Sequence, residues 1–217
     1  MTAPSAPEPS AAPPVQAPTA RKWRWLRELV PLAALVLVML GARSSLADHY
    51  YVPTGSMIPT VAVGDRLIVN KLAYGLRLPF SDLTLVPFSG PARGEVVILT
   101  SPEDGQVLLK RVAALPGDLV AVRDGRLVIN GQAVPVRSVG GEPVEELGAA
   151  LHPLRLTRGG GADYGPVKVP PDRYLVLGDN RGESHDGRSF GLVERAAIMG
   201  RAVGVYMRDG GFSWHGL

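Results

Sequence analysis

Ser56 and Lys110 are two residues whose types and local sequence could perform hydrolytic chemistry. Gly55 precedes the serine, and a glycine there permits a sharp turn and leaves room for an incoming carbonyl group. Lys110 lies in the run Val107 to Val112, which is apolar apart from this lysine and Arg111. Burial there would lower the pKa of the lysine amine and make it a usable general base. A serine hydroxyl needs such a base, so the pair predicts a serine nucleophile activated by a lysine.

Both residues also have purely structural interpretations, which the local sequence leaves open. The segment around Ser56 fits a Ser/Thr turn ahead of a short helix. Lys110 fits the solvent-exposed face of an alternating strand. To act as a base, the lysine needs its pKa lowered from about 10.4 to about 7.5, which corresponds to roughly 4 kcal/mol and is within reach of a desolvated site.

Residues 177–188 are rich in groups that hydrogen-bond locally, and they predict a rigid polar loop. A calcium-binding loop is excluded because an arginine occupies its third position and a serine replaces the glycine at its sixth. Ser184, His185 and Asp186 do not form a triad, because neighbouring residues on one segment cannot face each other. Two interpretations stay open: a purely structural loop, and a loop from which His185 assists Ser56 in acid–base chemistry across the fold.

Composition excludes several classes of protein. The formal net charge of +3 is small and dispersed, so it gives no indication of nucleic-acid binding. There is no cysteine, which excludes disulfides and thiolate metal sites, and the four histidines show no paired ligand spacing. Because the chain has 26 glycines, 20 prolines and few aromatic residues, we expect a mostly β protein with many tight turns.

The amino-terminal part predicts a disordered cytoplasmic tail over residues 1–22 and a transmembrane signal-anchor helix over residues 23–47. The tail is mainly Ala, Pro and Ser, a composition that cannot bury enough apolar surface to fold. Basic residues and tryptophans then precede an apolar run from Leu29 to Ala42, which is typical of a membrane entry with the amino terminus in the cytoplasm. The run is shorter than the about 20 residues of a full span, so a cleaved export signal ending at Ser45-Leu46-Ala47 stays open.

From Tyr50 onward, short β-branched runs separated by turn-forming residues predict strands. These runs are Arg66 to Val69, Glu95 to Leu99, Val107 to Val112, Leu119 to Val122, Arg126 to Ile129, Arg173 to Leu177 and Ala202 to Met207. Asp124-Gly125 predicts the turn of an antiparallel hairpin from Leu119 to Ile129. Residues 139–166 have glycine clusters and little alternation, and they predict an exposed, partly mobile excursion. A short helical turn is expected from Ser56.

Taken together, these segments resemble bacterial type I signal peptidases, because separate motifs recur in that family's order over about residues 23–208. The motifs are Thr-Gly-Ser-Met-Ile-Pro-Thr at 54–60, Gly-Asp-Arg-Leu-Ile-Val-Asn-Lys at 64–71 with Tyr74-Gly75, Arg93-Gly94-Glu95-Val96-Val97, Lys-Arg-Val-Ala-Ala-Leu-Pro-Gly-Asp at 110–118, Ile129-Asn130-Gly131, and Gly-Asp-Asn-Arg at 178–181 with Ser184, Asp186 and Arg188. Their joint occurrence favours the functional interpretation of each motif over the structural one.

The resemblance implies a role for each matching residue. Ser56 would be the nucleophile, Lys110 the general base and Ser184 the hydroxyl that orients the lysine amine. Thr54 would help the Ser56 backbone amide to stabilise the oxyanion. The other residues implied are the supports Asp179, Asn180, Arg181, Asp186, Arg188 and Arg111, and the substrate-binding residues Met57 and Pro59. The implied mechanism passes through an acyl-enzyme and needs no metal or organic cofactor.

The resemblance also implies a mostly β fold, a coiled antiparallel β-sheet catalytic domain of the signal-peptidase/LexA-like type, preceded by one transmembrane helix. Residues 48–138 and 167–217 would form that domain, with 139–166 a variable loop or small subdomain. The implied partners are signal peptides of secretory preproteins, with small residues one and three positions before the cut, and the lipid bilayer. We expect a monomer that binds no nucleic acid, held by a single pass in the bacterial cytoplasmic membrane, with its catalytic domain on the outer face.

Two other functions compete with this interpretation. A self-cleaving regulator with the same Ser/Lys chemistry would need an amino-terminal DNA-binding domain and a cleavable linker, and residues 1–46 supply neither. A membrane-anchored β module that binds partners without catalysis would need neither Ser56 nor Lys110. Single alanine substitutions at these two positions therefore distinguish such a module from an enzyme.

Overall fold

The computed structural model describes residues 27–36, 47–77 and 84–217. The chain divides into two units, Met1–Leu40 and Gly41–Leu217. The second unit contains all of the strands given below, and it carries the candidate site.

The described part of the first unit is a helix, α1, over residues 27–36. Within the described ranges, no helix is long and apolar enough to cross a membrane. The predicted tail over residues 1–22 lies outside the described residues, as does most of the span predicted over 23–47.

The second unit is built mainly from short strands, as its composition predicts. The strands are β1 (Ala47–Tyr51), β2 (Arg66–Asn70), β3 (Gly75–Arg77), β4 (Thr84–Pro87), β5 (Val96–Thr100), β6 (Val107–Ala114), β7 (Leu119–Arg123), β8 (Arg126–Ile129), β9 (Gln132–Ala133), β10 (Val136–Val139), β11 (Glu142–Leu147), β12 (Ala150–Pro153), β13 (Tyr164–Lys168), β14 (Arg173–Leu177), β15 (Val193–Glu194), β16 (Ile198–Arg208) and β17 (Gly211–Gly216). A one-turn helix, α2, spans Gly187–Phe190, and 3₁₀ turns span Lys71–Tyr74, Arg181–Glu183 and Arg195–Ala197.

The largest sheet has eight strands, in the order β1-β2-β16-β5-β6-β14-β15, with β17 also paired to β16. Every strand pair in the described chain is antiparallel. The register shifts within the pairs that β16 makes with β2 and β5, and within the pair of β14 and β6. Such bulges increase the local twist, so the sheet curls. The expectation of a mostly β protein with a coiled antiparallel sheet is confirmed.

The core is formed by apolar residues that alternate onto the inward face of the strands. In β2 and β8, buried and less buried residues alternate, as expected for strands with one face on the core. One cluster, which includes Met57, Leu67 and Val96, packs behind the segment that carries Ser56. Burial of these side chains therefore holds the Ser56 segment against the main sheet.

The predicted hairpin from Leu119 to Ile129 is confirmed. Strands β7 and β8 pair in register from Val120 opposite Ile129 to Arg123 opposite Arg126. The turn residues Asp124 and Gly125 have φ values of 47° and 72°, the left-handed conformation that such a turn requires of both. The other predicted strands also form, with ends displaced by one to a few residues.

The exposure expected over residues 139–166 is wrong for several residues in the first half of that segment, whereas its assignment as a variable loop or small subdomain stays a prediction. Strands β10, β11 and β12 form a three-stranded sheet, and Glu145, Leu147 and His152 are buried. Glu145 faces inward, where Arg181 pairs with it. An inward-facing carboxylate masks the usual alternation of apolar and polar residues, which is why the strands were missed.

The helical turn expected from Ser56 does not extend into a helix. Residues 54–61 form successive turns, closed by Ile58 N donating to Gly55 O at 3.2 Å and Val61 N donating to Met57 O at 3.0 Å. A residue before proline disfavours the helical conformation. Pro59 therefore favours turns over a helix at Ile58.

Candidate active site

The Ser56 segment connects β1 to β2 and is held at both ends. Val52 N donates to Asp65 O at 3.0 Å, and Gly64 N donates to Val52 O at 2.9 Å, which closes the connection. At its middle, the carbonyl of Ser56 accepts a hydrogen bond from Asn180 N at 3.1 Å. These bonds fix the backbone on either side of the serine hydroxyl.

Lys110 meets Ser56 from the neighbouring strand β6. Its Nζ lies 2.8 Å from Ser56 Oγ and 3.1 Å from the Leu109 carbonyl oxygen. The lysine is only 3% exposed and Ser56 only 9%. The solvent-face interpretation of Lys110 is therefore wrong, and the two residues, 54 positions apart in the chain, form one buried pair.

The burial of Lys110 sets its proton affinity. Desolvation lowers the pKa of its amine to about 8, although the charges of Asp186 and Asp179 raise it. A buried ammonium loses hydration that nearby groups do not fully replace. An amine with this pKa is partly neutral near pH 7.5, and it can then accept a proton from Ser56 Oγ.

Arg111, the next residue, points to the opposite face of β6 and is fully paired. Its Nε and Nη2 donate to the two carboxylate oxygens of Asp179 at 2.8 and 2.7 Å, and its Nη1 donates to Gly94 O at 2.7 Å. Thr60 Oγ1 donates to Asp179 Oδ2 at 2.5 Å. Burial would raise the pKa of the Asp179 carboxyl, but the Arg111 guanidinium outweighs it and holds that pKa below its ordinary value.

Asp186 and Arg188 form a second buried ion pair, at the start of α2. Arg188 donates through Nε and Nη2 to Asp186 Oδ1 and Oδ2, both at 2.8 Å. Asp186 Oδ2 also accepts from Gly178 N at 3.0 Å. Burial raises the pKa of this carboxyl, yet the hydrogen bond and charge of Arg188 lower it overall.

The loop from residue 178 to 188 is further held by Asn180 and Arg181. Asn180 Nδ2 donates to Gly55 O at 3.1 Å, and Arg181 Nε donates to Gly178 O at 3.1 Å. A Cβ at Gly178 would come within 2.5 Å of Ser56 O, so only glycine lets this loop approach the Ser56 segment so closely. The prediction of a rigid polar loop agrees with this bonding.

A cleft of about 300 Å³ opens beside Ser56 and Lys110. Its lining is mainly apolar and aromatic: Tyr50, Tyr51, Val52, Pro53, Thr54, Ser56, Met57, Leu67, Ile98, Gln106, Val107, Leu108, Leu109 and Lys110. Residues 107–110 of β6 pair with β5 on one side, whereas β14 joins β6 only from Arg111 onward. This edge of β6 therefore has no strand partner within the described chain, and it can receive an extended peptide.

Comparison with known proteins decides the family. Residues 22–207 match the family model described as signal peptidase, peptidase S26. This chain belongs to that family. It is 37% identical over 204 residues to signal peptidase I of Pseudomonas fluorescens, with 83% of this chain and 71% of that protein covered. Signal peptidase I of Leptolyngbya laminosa is 38% identical over 178 residues, which cover 77% of this chain and 72% of that protein.

Two further relatives extend the comparison. Signal peptidase I P of Bacillus subtilis subsp. natto is 35% identical over 175 residues, which cover 79% of this chain and 82% of that protein. The crystal structure of a signal peptidase I from Enterococcus faecalis covers 52% of this chain and 97% of its own, at 31% identity and a TM-score of 0.36. The family match and the sequence relatives confirm the expected serine endopeptidase of the signal peptidase I type, and a binding module without catalysis is not supported.

Some predicted site residues of this signal peptidase do not make the contacts expected of them. Ser184 Oγ is buried, but it has no hydrogen-bond partner in the described structure, and so it does not bond to Lys110. Thr54 is exposed at the mouth of the cleft, Met57 is buried beside it, and Pro59 is exposed. His185 Nε2 lies 2.7 Å from Glu103 Oε2, whereas Ser56 Oγ bonds to Lys110.

Three residues that the sequence analysis did not single out belong to the same polar network. Thr60 contacts Asp179, Glu145 pairs with Arg181 at 2.6 Å, and His152 lies between Glu145 and Asp179. Thr60 lies in the motif at 54–60, so the sequence contained a signal that could have identified it. Glu145 and His152 carried none, because both lie in the segment that looked like an exposed excursion. Across the described residues, no group of three or more acidic, His or Cys side chains could hold a metal ion.

Proposed function

We propose that this signal peptidase is a membrane-bound endopeptidase that removes signal peptides from exported preproteins, with Ser56 as nucleophile and Lys110 as general base. The observation that carries the proposal is the buried contact of 2.8 Å between Lys110 Nζ and Ser56 Oγ. A nucleophile within hydrogen-bond reach of a base with a lowered pKa is the arrangement that activates a serine. The relatives named signal peptidase I support the substrate class.

The reaction begins with the neutral amine of Lys110. Ser56 Oγ attacks the carbonyl carbon of the scissile peptide bond while its proton moves to Lys110 Nζ. The carbonyl oxygen becomes an oxyanion, for which the backbone N–H of Ser56 and the exposed hydroxyl of Thr54 are the proposed donors. The Lys110 ammonium then gives its proton to the leaving amine, the C–N bond breaks, and an ester remains on Ser56.

Hydrolysis of the ester regenerates the enzyme. Lys110, neutral again, takes a proton from a water molecule, and the resulting hydroxide attacks the ester carbonyl. The C–O bond to Ser56 breaks, and the proton on Lys110 returns to Ser56 Oγ. Asp179, Arg111, Asp186 and Arg188 support the site from outside the reacting atoms, since their buried bonds hold β6 and the loop at 178–188.

The cleft supports a preference for small side chains next to the cut. Its volume of about 300 Å³ is shared by the peptide backbone and by the side chains on one face of an extended substrate. Bulky residues such as Tyr50, Met57 and Leu108 already line it. Small residues one and three positions before the cut, which alternate onto the same face, therefore fit best.

The membrane anchor of the proposal is a single helix over residues 23–47, with the amino terminus in the cytoplasm and the catalytic unit on the outer face. Its support is the apolar run from Leu29 to Ala42 preceded by Arg and Trp residues. An anchored enzyme meets membrane-bound preproteins at a high effective concentration. Fractionation of cells expressing the chain, with and without residues 1–46, tests this part.

The enzymatic proposal is tested with purified full-length protein in detergent micelles and a preprotein that carries an Ala-x-Ala site. Ser56→Ala and Lys110→Ala are compared with wild type and with two control variants at exposed positions, Ser138→Ala and Lys168→Ala. We expect mature product from wild type and from both controls, and none from the two site variants. Product from Ser56→Ala at the wild-type rate would overturn the assignment of the nucleophile.

A further inference from the structure

His152 occupies an unusual position for a histidine in this fold. It lies on β12, in the sheet formed by β10 to β12, and it is only 2% exposed. Its Nε2 is 3.3 Å from Glu145 Oε2 and 3.8 Å from Asp179 Oδ1. Neither ring nitrogen makes an aligned hydrogen bond within the described structure.

The two carboxylates beside His152 belong to two different ion pairs. Glu145 pairs with Arg181, through Nη2 at 2.6 Å and Nη1 at 3.2 Å. Asp179 pairs with Arg111, the neighbour of Lys110. His152 therefore stands at the junction between the β10 to β12 sheet and the strand that carries the proposed general base.

A buried imidazole is costly unless its polar atoms find partners. Both nearby oxygens lie on the Nε2 side of the ring, so the polar contacts of the imidazole are concentrated there. Glu145 responds to this environment. Burial would raise the pKa of its carboxyl, but the nearby His152 ring and the Arg181 guanidinium together hold it below its ordinary value.

We propose that His152 is a positioning residue for the Ser56–Lys110 pair: its Nε2 lies between the carboxylates of Glu145 and Asp179, holds them at their observed spacing and thereby fixes Arg111 and β6. The inference rests on the proposed function, because it assumes that Lys110 is the base. It assigns a purpose to the β10 to β12 sheet, which contributes no residue to the cleft that holds Ser56 and Lys110.

The link acts on the rate of reaction more than on binding. The cleft is lined by other elements, so a substrate contacts neither His152 nor Glu145. The position of Asp179 sets both the rotation of Arg111 and one of the charges that act on Lys110. Misplacing a reacting group by about 1 Å can cost about 100-fold in rate, so a looser link lowers kcat and leaves KM near its wild-type value.

The test compares two amides that differ by one methylene. The amide nitrogen of His152→Gln can reach the position of Nε2, whereas that of His152→Asn cannot. The control Leu147→Val alters a buried residue of the same sheet that makes no ion pair. The full-length enzyme is assayed for kcat and KM on a preprotein, and each variant is assayed for its thermal unfolding midpoint, with Ser56→Ala as the blank.

We expect kcat to fall at least tenfold in His152→Asn, to stay within about threefold of wild type in His152→Gln, and KM to change less than threefold in both. Equal kcat values in the Gln and Asn variants would overturn the positioning role. So would a fall in kcat for Leu147→Val as large as that in His152→Asn at the same loss of thermal stability. Activity in Ser56→Ala would instead refute the proposed nucleophile, so the two failures are distinguishable.

Discussion

Lys110 and Arg111 are adjacent, buried residues on one strand, and their side chains have different partners. Arg111 faces Asp179, which accepts two of its N–H groups. Lys110 faces Ser56 and has no carboxylate within salt-bridge distance in the described structure. A buried cation with a paired carboxylate keeps its charge and braces the fold, whereas one without such a partner has a lowered pKa and becomes a base.

The largest expected effect comes from removing the amine of Lys110, the proposed general base. Lys110→Met keeps the length of the side chain and removes its amine, so kcat should fall about 1,000-fold. The thermal unfolding midpoint should not fall, because a buried ammonium is removed as well. Steady-state cleavage and a thermal melt measure both quantities, with Lys168→Met as the control at an exposed position. A variant with more than a tenth of the wild-type kcat would contradict the account.

The other cation should matter mainly for stability. Arg111→Met leaves the Asp179 carboxylate buried without its partner, and we expect the free energy of unfolding to fall by about 3–5 kcal/mol. In the double variant Arg111→Met/Asp179→Leu, most of that loss should be recovered, because no uncompensated charge remains. Urea unfolding measures both variants. A loss of unfolding free energy below about 1 kcal/mol in the single variant would show that the Arg111–Asp179 pair does not stabilise the fold.

The pH profile sharpens the comparison further. In the proposed mechanism the neutral amine of Lys110 is the active form, so kcat/KM in wild type should rise with pH through a midpoint near the lysine's pKa of about 8. Asp179 raises that pKa by its charge, so in Asp179→Asn the rise should move to lower pH. Asp163→Asn, which changes an exposed carboxylate, should leave the profile in place. A shift of the Asp179→Asn profile to higher pH would reverse the assigned sign.

An exposed ion pair provides the smallest expected effect. Arg137 and Glu146 lie 2.9 Å apart, with 70% and 39% of their side chains exposed. Because solvent screens such a pair, a double-mutant cycle should yield a coupling below about 1 kcal/mol. A coupling as large as that between Arg111 and Asp179 would show that burial does not separate the two kinds of pair.

The strand that carries Lys110 and the hairpin over 119–129 were predictable, and the sheet over residues 136–153 was not. Val107 to Val112 reads as a strand because β-branched and apolar residues flank its two cations. Asp124-Gly125 marks a turn because both residues tolerate a positive φ. Glu145 and His152 are polar residues whose partners, Arg181 and Asp179, come more than 25 positions later in the chain. Local patterns cannot reveal such long-range pairing.

The same limit applies within the candidate site. Sequence alone could propose Ser56 and Lys110 as a pair, but it could not establish that the lysine is buried, because a lone lysine in a strand usually faces solvent. Burial follows from the packing of the Ser56 segment against Lys110, whose Nζ lies 2.8 Å from Ser56 Oγ. The Arg111–Asp179 contact was implied only as support, and its bidentate geometry became visible with the fold.

The central claim is that Lys110 is a base with a lowered pKa, and direct titration tests it. The chain contains four lysines, at positions 22, 71, 110 and 168, so protein labelled with ¹³C at lysine Cε should yield few signals to assign. Lys110→Met identifies the signal of interest by its loss. A midpoint near pH 8 for that signal is the result we predict, and a midpoint at the ordinary lysine value of about 10.5 would contradict the account.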